Sequence, residues 1–283
     1  MNERVPPWVI PPARKGAQLA GLGRKLSEMG VHTVCQSARC PNVGECFARG
    51  TATFMILGEV CTRNCRFCAV THGQPVPPDP EEGRRVAEAA EMLDLRYVVV
   101  TSVTRDDLAD GGASHFAATV SVIKERLPGA GVEVLTPDFQ GSREALARVL
   151  EVDPTVFGHN VETVPRLYPE VRPAASYERS LQVLKWAREI SPGVLTKSGF
   201  MVGLGESSDE VLALLRALRG AGVEAVTIGQ YLQPTRQHVA VVEYVRPEVF
   251  REYGCAARDV GFSRVLSGPL VRSSYHAAEL AGR

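Results

Sequence analysis

The stretch Thr53-Phe-Met-Ile-Leu-Gly-Glu-Val60-Cys61-Thr-Arg-Asn-Cys65-Arg-Phe-Cys68 joins an apolar run to three closely spaced cysteines. The run Thr53 to Val60 has the β-branched and apolar character of a buried strand, so the cysteines begin where a strand ends. Downstream the same alternation of short apolar runs and longer helical-period stretches repeats. Strands are expected at Tyr97 to Ser102, Val132 to Thr136, Thr155 to His159, Leu195 to Val202 and Ala225 to Gln230. Helices are expected at Pro80 to Leu93, Ser114 to Leu127, Ser142 to Leu150, Tyr177 to Glu189, Ser208 to Ala221 and Pro247 to Val260. Six strand-helix units in one order, with right-handed crossovers, predict an α/β fold of the partial TIM-type (β/α)6 barrel class. The barrel core is expected over residues 51–235, after an N-terminal extension 1–50 and before a closing segment 236–283. The extension carries prolines, a short helical stretch near Gly21 to Met29 and three cysteines. In such barrels the chemistry gathers at the C-terminal ends of the strands, and the polar or glycine-rich runs Thr101–Gly112, His159–Glu162, Gly203–Glu206 and Gln230–Thr235 all follow strands.

A chain of 283 residues with 45% hydrophobic content supplies a sizeable core. Its 32 basic and 32 acidic residues cancel, so no global field points to nucleic acid or a membrane surface. The proline-rich start (Pro6, Pro7, Pro11, Pro12) holds no apolar run long enough for a secretion signal or membrane span, and a cytoplasmic location is expected. Seven cysteines are too few for a disulfide scaffold and are expected as thiols or metal-bound thiolates.

Cys61, Cys65 and Cys68 are spaced so that three thiolates can curl around one inorganic cube and bind three of its four irons. The open fourth iron then suits the amino and carboxylate groups of S-adenosylmethionine. Reductive cleavage of that sulfonium gives a 5'-deoxyadenosyl radical, able to abstract hydrogen from unactivated carbon. The competing reading is structural zinc held by Cys61, Cys65, Cys68 and His72. Upstream, Cys35, Cys40 and Cys46 supply three more thiolates, and a second cluster there needs a fourth ligand from elsewhere. An electron-relaying cluster, or a zinc staple with His32, is the alternative. Cys255 stands alone in the last helix and reads as core.

Several strand-end residues are candidates to hold S-adenosylmethionine or substrate. Asp110-Gly111-Gly112 offers backbone amides, Asn160 and Glu162 suit ribose or amino groups, and Lys197 with Ser198 suits a carboxylate. Each has a plainer alternative: a turn at Gly111 and Gly112, a helix cap at Glu162, a solvated Lys197. His115, His159 and His238 show no paired metal spacing and receive no assignment.

The two cysteine triplets resemble the lipoyl synthase family of the radical S-adenosylmethionine superfamily. The resemblance runs nearly the whole chain through Pro6-Pro7-Trp8, Ala38-Arg39-Cys40-Pro41-Asn42, Gly58-Glu59-Val60-Cys61, Thr101 to Asp107 and Arg272-Ser273-Ser274-Tyr275. It implies two 4Fe-4S clusters, one binding S-adenosylmethionine and an auxiliary one held by Cys35, Cys40, Cys46 and Ser274. Ser274 and Arg272 are thereby candidate catalytic residues, Arg272 with the simpler alternative of orienting the C-terminal loop. The implied reaction is insertion of two sulfur atoms, at C6 and C8 of a lysine-bound octanoyl chain, with the auxiliary cluster sacrificed as sulfur source. The implied partners are octanoylated carriers (lipoyl domains of 2-oxoacid dehydrogenases, the glycine cleavage carrier), a low-potential electron donor and an iron-sulfur carrier that rebuilds the cluster. The N-terminal extension is short for the family. Competing readings are another radical enzyme with an auxiliary cluster, such as a biotin-type sulfur inserter or a methylthiolation enzyme, which the serine tetrad disfavours, and a non-catalytic zinc or electron-transfer protein.

Overall fold

The computed structural model describes residues 5–10, 16–37, 40 and 42–283; Pro11, Pro12, Ala38, Arg39 and Pro41 of the sequence patterns lie outside the described residues. In chain order the strands are β1 (His32–Thr33), β2 (Thr51–Ile56), β3 (Val60–Cys61), β4 (Thr71–His72), β5 (Tyr97–Ser102), β6 (Gly131–Leu135), β7 (Val156–Gly158), β8 (Leu195–Val202), β9 (Ala225–Gln230) and β10 (Arg264–Gly268). One sheet runs β1-β2-β5-β6-β7-β8-β9-β10, and β3 pairs with β4 separately. From β2 to β10 every neighbouring pair in the large sheet is parallel, whereas β1 joins β2 antiparallel. The two edge strands do not pair, so the sheet curls without closing.

Strands covered on both faces need apolar residues at nearly every position, and β2 and β9 are buried throughout. The helices are α1 (Gly16–Glu28), α2 (Val34–Ser37), α3 (Val43–Ala48), α4 (Glu82–Met92), α5 (Ala113–Arg126), α6 (Arg143–Glu151), α7 (Tyr168–Val171), α8 (Tyr177–Ile190), α9 (Ser208–Gly220), α10 (Pro247–Val260) and α11 (Ala277–Leu280). Their starts are chemically marked. Ser142 Oγ accepts the Ala145 amide at 3.1 Å to begin α6, and Ser207 with Glu210 forms a capping box on α9.

All six expected strands and six expected barrel helices are present, with three differences. The first strand ends at Ile56, four residues short of Val60, because Leu57 and Gly58 turn the chain at φ 67° and 86°. A further strand, β10, extends the parallel sheet beyond β9. Cys255 is exposed: α10 turns Phe250, Tyr253, Gly254 and Ala257 inward, an i, i+3, i+4, i+7 stripe that leaves position 255 outside.

After β10 the chain folds back against the sheet. Val271 approaches β9 so closely that a Cβ on Gly229 would stand 2.2 Å from the Val271 carbonyl oxygen. Further on, Ala277 in α11 packs on Tyr97 and Val99 of β5. Trp8 ties the start of the described chain to the segment after β9, donating Nε1–H to the Val245 carbonyl at 3.1 Å.

Candidate functional site

At the C-terminal ends of β2, β5, β6 and β7 lies a cavity of about 530 Å³, with Cys61, Cys65 and Cys68 on its wall. The loop that carries them is held from several directions. Arg63, between the first two cysteines and only 5% exposed at its side chain, donates to both carboxylate oxygens of Asp106 at 2.6 and 2.8 Å. It donates equally to both of Asp138 at 3.0 and 2.7 Å. The Thr104 amide points at Cys61 Sγ at 3.3 Å, and the Val239 amide donates to the Arg66 carbonyl at 3.0 Å. His238 meets the Cys68 carbonyl through Nε2 at 3.0 Å. Glu82 fixes the turn before the loop by accepting the Leu57 amide at 2.7 Å.

Burial pushes the Cys65 thiol up, against the pull of Arg172, and pushes Cys68 up to about 11 with Cys65 and Cys61 adding to the rise. Three soft sulfur donors on one loop suit iron-sulfur chemistry. His72, exposed in β4, is the register partner of Cys61 across the β3–β4 pair and lines the same cavity, while His32 faces Glu59 through Nδ1 at 3.0 Å.

Of the candidate binding residues, Asn160 and Glu162 line the cavity beside Arg172. Asn160 donates to Glu162 Oε1 and to Ser273 Oγ, each at 3.1 Å. Burial raises the Glu162 carboxyl, opposed by Arg172 and Asn160, and the residue takes a strained φ of 67°. Arg172 donates to the Asn160 and Val161 carbonyls and the Tyr168 hydroxyl, leaving its buried Nε without a partner. Ser102 Oγ and His159 Nε2, on residues that also line the cavity, are likewise buried and unpartnered. Such atoms equip the cavity for a polar organic ligand.

The remaining candidates are placed otherwise. Asp110 caps α5, accepting the Gly112 amide at 2.9 Å and the Ser114 amide at 2.8 Å. Gly111 and Gly112 have φ 61° and 91°, and a Cβ on Gly112 would stand 2.3 Å from Leu57, so they serve the turn. Lys197 is buried in an ion pair with Glu133 Oε1 at 2.7 Å, and the Tyr97 hydroxyl donates to the other oxygen at 3.1 Å. It therefore braces the barrel interior away from the cavity. Arg63, His159, Arg172 and His238 are site residues that sequence reasoning missed, because a single basic residue carries no spacing signal.

Cys35, Cys40 and Cys46 sit on or beside the short helices α2 and α3, and the C-terminal tetrad comes to them. Asn42 Nδ2 donates to the Leu270 carbonyl at 2.6 Å. The buried Arg272 guanidinium is lowered by desolvation, offset by the Cys40 thiol nearby, and it donates to the Val271 carbonyl at 2.7 Å. Tyr275 donates to Glu45 Oε2 at 3.2 Å, and His276 reaches Glu45 Oε1 at 2.8 Å and Glu279 Oε2 at 2.9 Å. Ser274 lies half-buried between these anchors.

The Radical SAM superfamily matches residues 55–229. A lipoyl synthase of Caldanaerobacter subterraneus is 62% identical over 252 residues, covering 89% of this chain and 88% of that protein. One of Methylococcus capsulatus is 55% identical over 279 residues, covering 98% and 87%. The chain belongs to the lipoyl synthase family. Membership brings S-adenosylmethionine and 4Fe-4S chemistry, which the thiols and unpartnered polar atoms of the cavity fit. Distant solved structures share the lipoyl synthase fold alone. Methylornithine synthase superposes with TM-score 0.56 at 15% identity over 91% of this chain and 80% of its own. Coproporphyrinogen III oxidase of Escherichia coli gives 0.53 at 12% over 77% and 55%. No helix among the described residues is long and apolar enough to cross a membrane.

Proposed function

We propose that the chain inserts two sulfur atoms, at C6 and C8 of an octanoyl group amide-linked to a carrier-protein lysine, and so forms the lipoyl cofactor. One observation carries this reading: Asn160, on the wall of the Cys61–Cys68 cavity, is hydrogen-bonded at 3.1 Å to Ser273 in the tetrad that meets the other triplet. An acyl chain at this junction reaches both cysteine sites.

In this reading Cys61, Cys65 and Cys68 hold one 4Fe-4S cluster and Cys35, Cys40, Cys46 and Ser274 the auxiliary one. Bound there, the groups supply one-electron cleavage of S-adenosylmethionine and the sulfur to be transferred. The chain's own residues do the positioning. Arg63 pins the first cysteine loop to the barrel, and Asn160 and Glu162 offer polar contacts to the nucleoside. Arg272 stands beside Cys40, while Ser274, a hard oxygen donor to a soft centre, leaves one iron weakly held. The working division is an extension (1–50) carrying auxiliary ligands, a barrel (51–235) and a closing segment (236–283). The carriers are lipoyl domains of 2-oxoacid dehydrogenases and the glycine cleavage carrier, served in the cytoplasm by a low-potential electron donor and an iron-sulfur carrier.

Iron and sulfide analysis with Mössbauer spectra on anaerobically reconstituted protein tests the reading, followed by assay with an octanoyl-lysyl peptide, S-adenosylmethionine and a strong reductant. The expected result is about eight irons per chain and a thiolated octanoyl product. About four irons, or cleavage of S-adenosylmethionine without sulfur transfer, assigns the chain to another radical chemistry. Bound zinc refutes the radical mechanism.

A further inference from the structure

His159 follows β7, is 2% exposed and lines the cavity beside Asn160. Its Nδ1 lies 2.9 Å from the Thr136 carbonyl oxygen. A carbonyl only accepts, so Nδ1 carries the ring hydrogen and the neutral ring bears a lone pair on Nε2. Burial, with the positive charges of Arg172 and Arg63 adding, pushes the imidazole down to about 4 against the Thr136 bond and Asp138. Burial and the neighbouring cations therefore favour the neutral ring. Its Nε2 is buried without a hydrogen-bond partner, as are Arg172 Nε and Ser102 Oγ on the same cavity's lining residues. A buried acceptor that no protein group satisfies is costly and becomes useful once a ligand donates to it.

We infer that His159 is a ligand-binding residue that accepts a hydrogen bond at Nε2 from an O–H or N–H donor lodged in this cavity. The inference deepens the function proposed above and rests on it. Two molecules bring such donors: the hydroxyls and amino groups of S-adenosylmethionine, and the amide N–H of the acylated lysine. Fixed by the Thr136 carbonyl, the ring offers an acceptor of one orientation and no charge, which an amide or hydroxyl satisfies without a proton moving.

Two variants separate binding from structure. His159→Asn keeps a short amide N–H able to reach the Thr136 carbonyl but removes the atom at the ε position, whereas His159→Gln keeps an acceptor there. Affinity for S-adenosylmethionine is read from the change it causes in the electron paramagnetic resonance signal of the reduced, reconstituted protein. Affinity for the octanoyl-lysyl peptide is measured separately. His159→Asn is expected to weaken one of the two by roughly tenfold, and His159→Gln by less than about threefold, with iron content and Tm at wild-type values. Loss confined to S-adenosylmethionine identifies the nucleoside as donor, and loss confined to the peptide identifies the amide. Unchanged affinities in His159→Asn, or a loss in both variants that tracks lost iron, overturns the inference. Wild-type protein that is fully loaded with iron yet binds neither ligand refutes the functional reading and takes the role of His159 with it.

Discussion

The two cysteine triplets are secured by different kinds of structure. Cys61, Cys65 and Cys68 hang from strand ends of the barrel, and their loop is nailed down by Arg63 between two carboxylates, with Asp138 only 1% exposed. Cys35, Cys40 and Cys46 sit on or beside short helices outside the parallel sheet, and a C-terminal segment packs against that region. The clasp on that segment is exposed: Glu45 is 40% and Glu279 55% exposed, with Arg49 reaching both. Breaking a buried pair by removing one partner costs about 3–5 kcal/mol, whereas exposed pairs are worth roughly 0.2–1 kcal/mol. Under the function proposed above, the first site is the one expected to keep its shape through many turnovers, and the second the one expected to open and be refilled.

The sharpest way to break this contrast is to remove one thiol from each site. Cys65→Ala should abolish S-adenosylmethionine cleavage, by at least about a thousandfold, and Cys40→Ala should retain cleavage but yield no thiolated product. Equal behaviour in a 5'-deoxyadenosine assay would erase the division of labour. Next, Ser274→Cys replaces the weak oxygen ligand with thiolate. The auxiliary cluster should then survive reducing turnover in Mössbauer spectra while lipoyl formation stops, and full activity in that variant sinks the labile-ligand idea.

Arg63→Met tests the rigid side. It leaves the buried Asp138 carboxylate only the Gln140 amide at 3.1 Å and Arg179 Nη1 at 3.5 Å and should cost about 3 kcal/mol, read as a lowered Tm alongside selective loss of iron from the first site. Burial opposes the Asp138 charge, but the hydrogen bonds and charge of Arg63 prevail and hold the carboxyl down at about 2. A depressed carboxyl stabilises above its unfolded value, so roughly 2 kcal/mol is present above about pH 4 and is lost as pH falls toward 2. Acid titration of stability should show that window in wild type and lack it in Arg63→Met. The smallest effect is expected from Glu45→Gln, whose exposed partners contribute roughly 0.2–1 kcal/mol. It should leave Tm nearly unchanged and modestly hasten loss of auxiliary iron to a chelator, with the first cluster unaffected.

The parts legible in the sequence are those where pattern and burial coincide. Tyr97–Ser102, Leu195–Val202 and Ala225–Gln230 are strands over the residues expected, short β-branched or apolar stretches set between runs of helical period. Arg264–Gly268 escaped notice because every position in it is only half-buried and just two of its residues, Val265 and Leu266, are aliphatic. The cysteines were legible through spacing. The charges that hold their loop and the turn before it were not: Arg63 and Glu82 are buried, and a charged residue reads as solvated until its partner, distant in sequence, is known. Asp110-Gly111-Gly112 reads equally as ligand cradle or turn, and only the close approach of Leu57 and Phe139 decides for the turn.

The clasp between Tyr275 and Glu45 spans 230 positions of the chain. During synthesis the barrel strands emerge and pair long before residues 269–283 leave the ribosome. The Cys61–Cys68 loop is therefore made well before the segment that packs against the other triplet. In the function proposed above, a chain cut before Ser274 carries the Cys61–Cys68 loop entire and lacks the serine assigned to the other site.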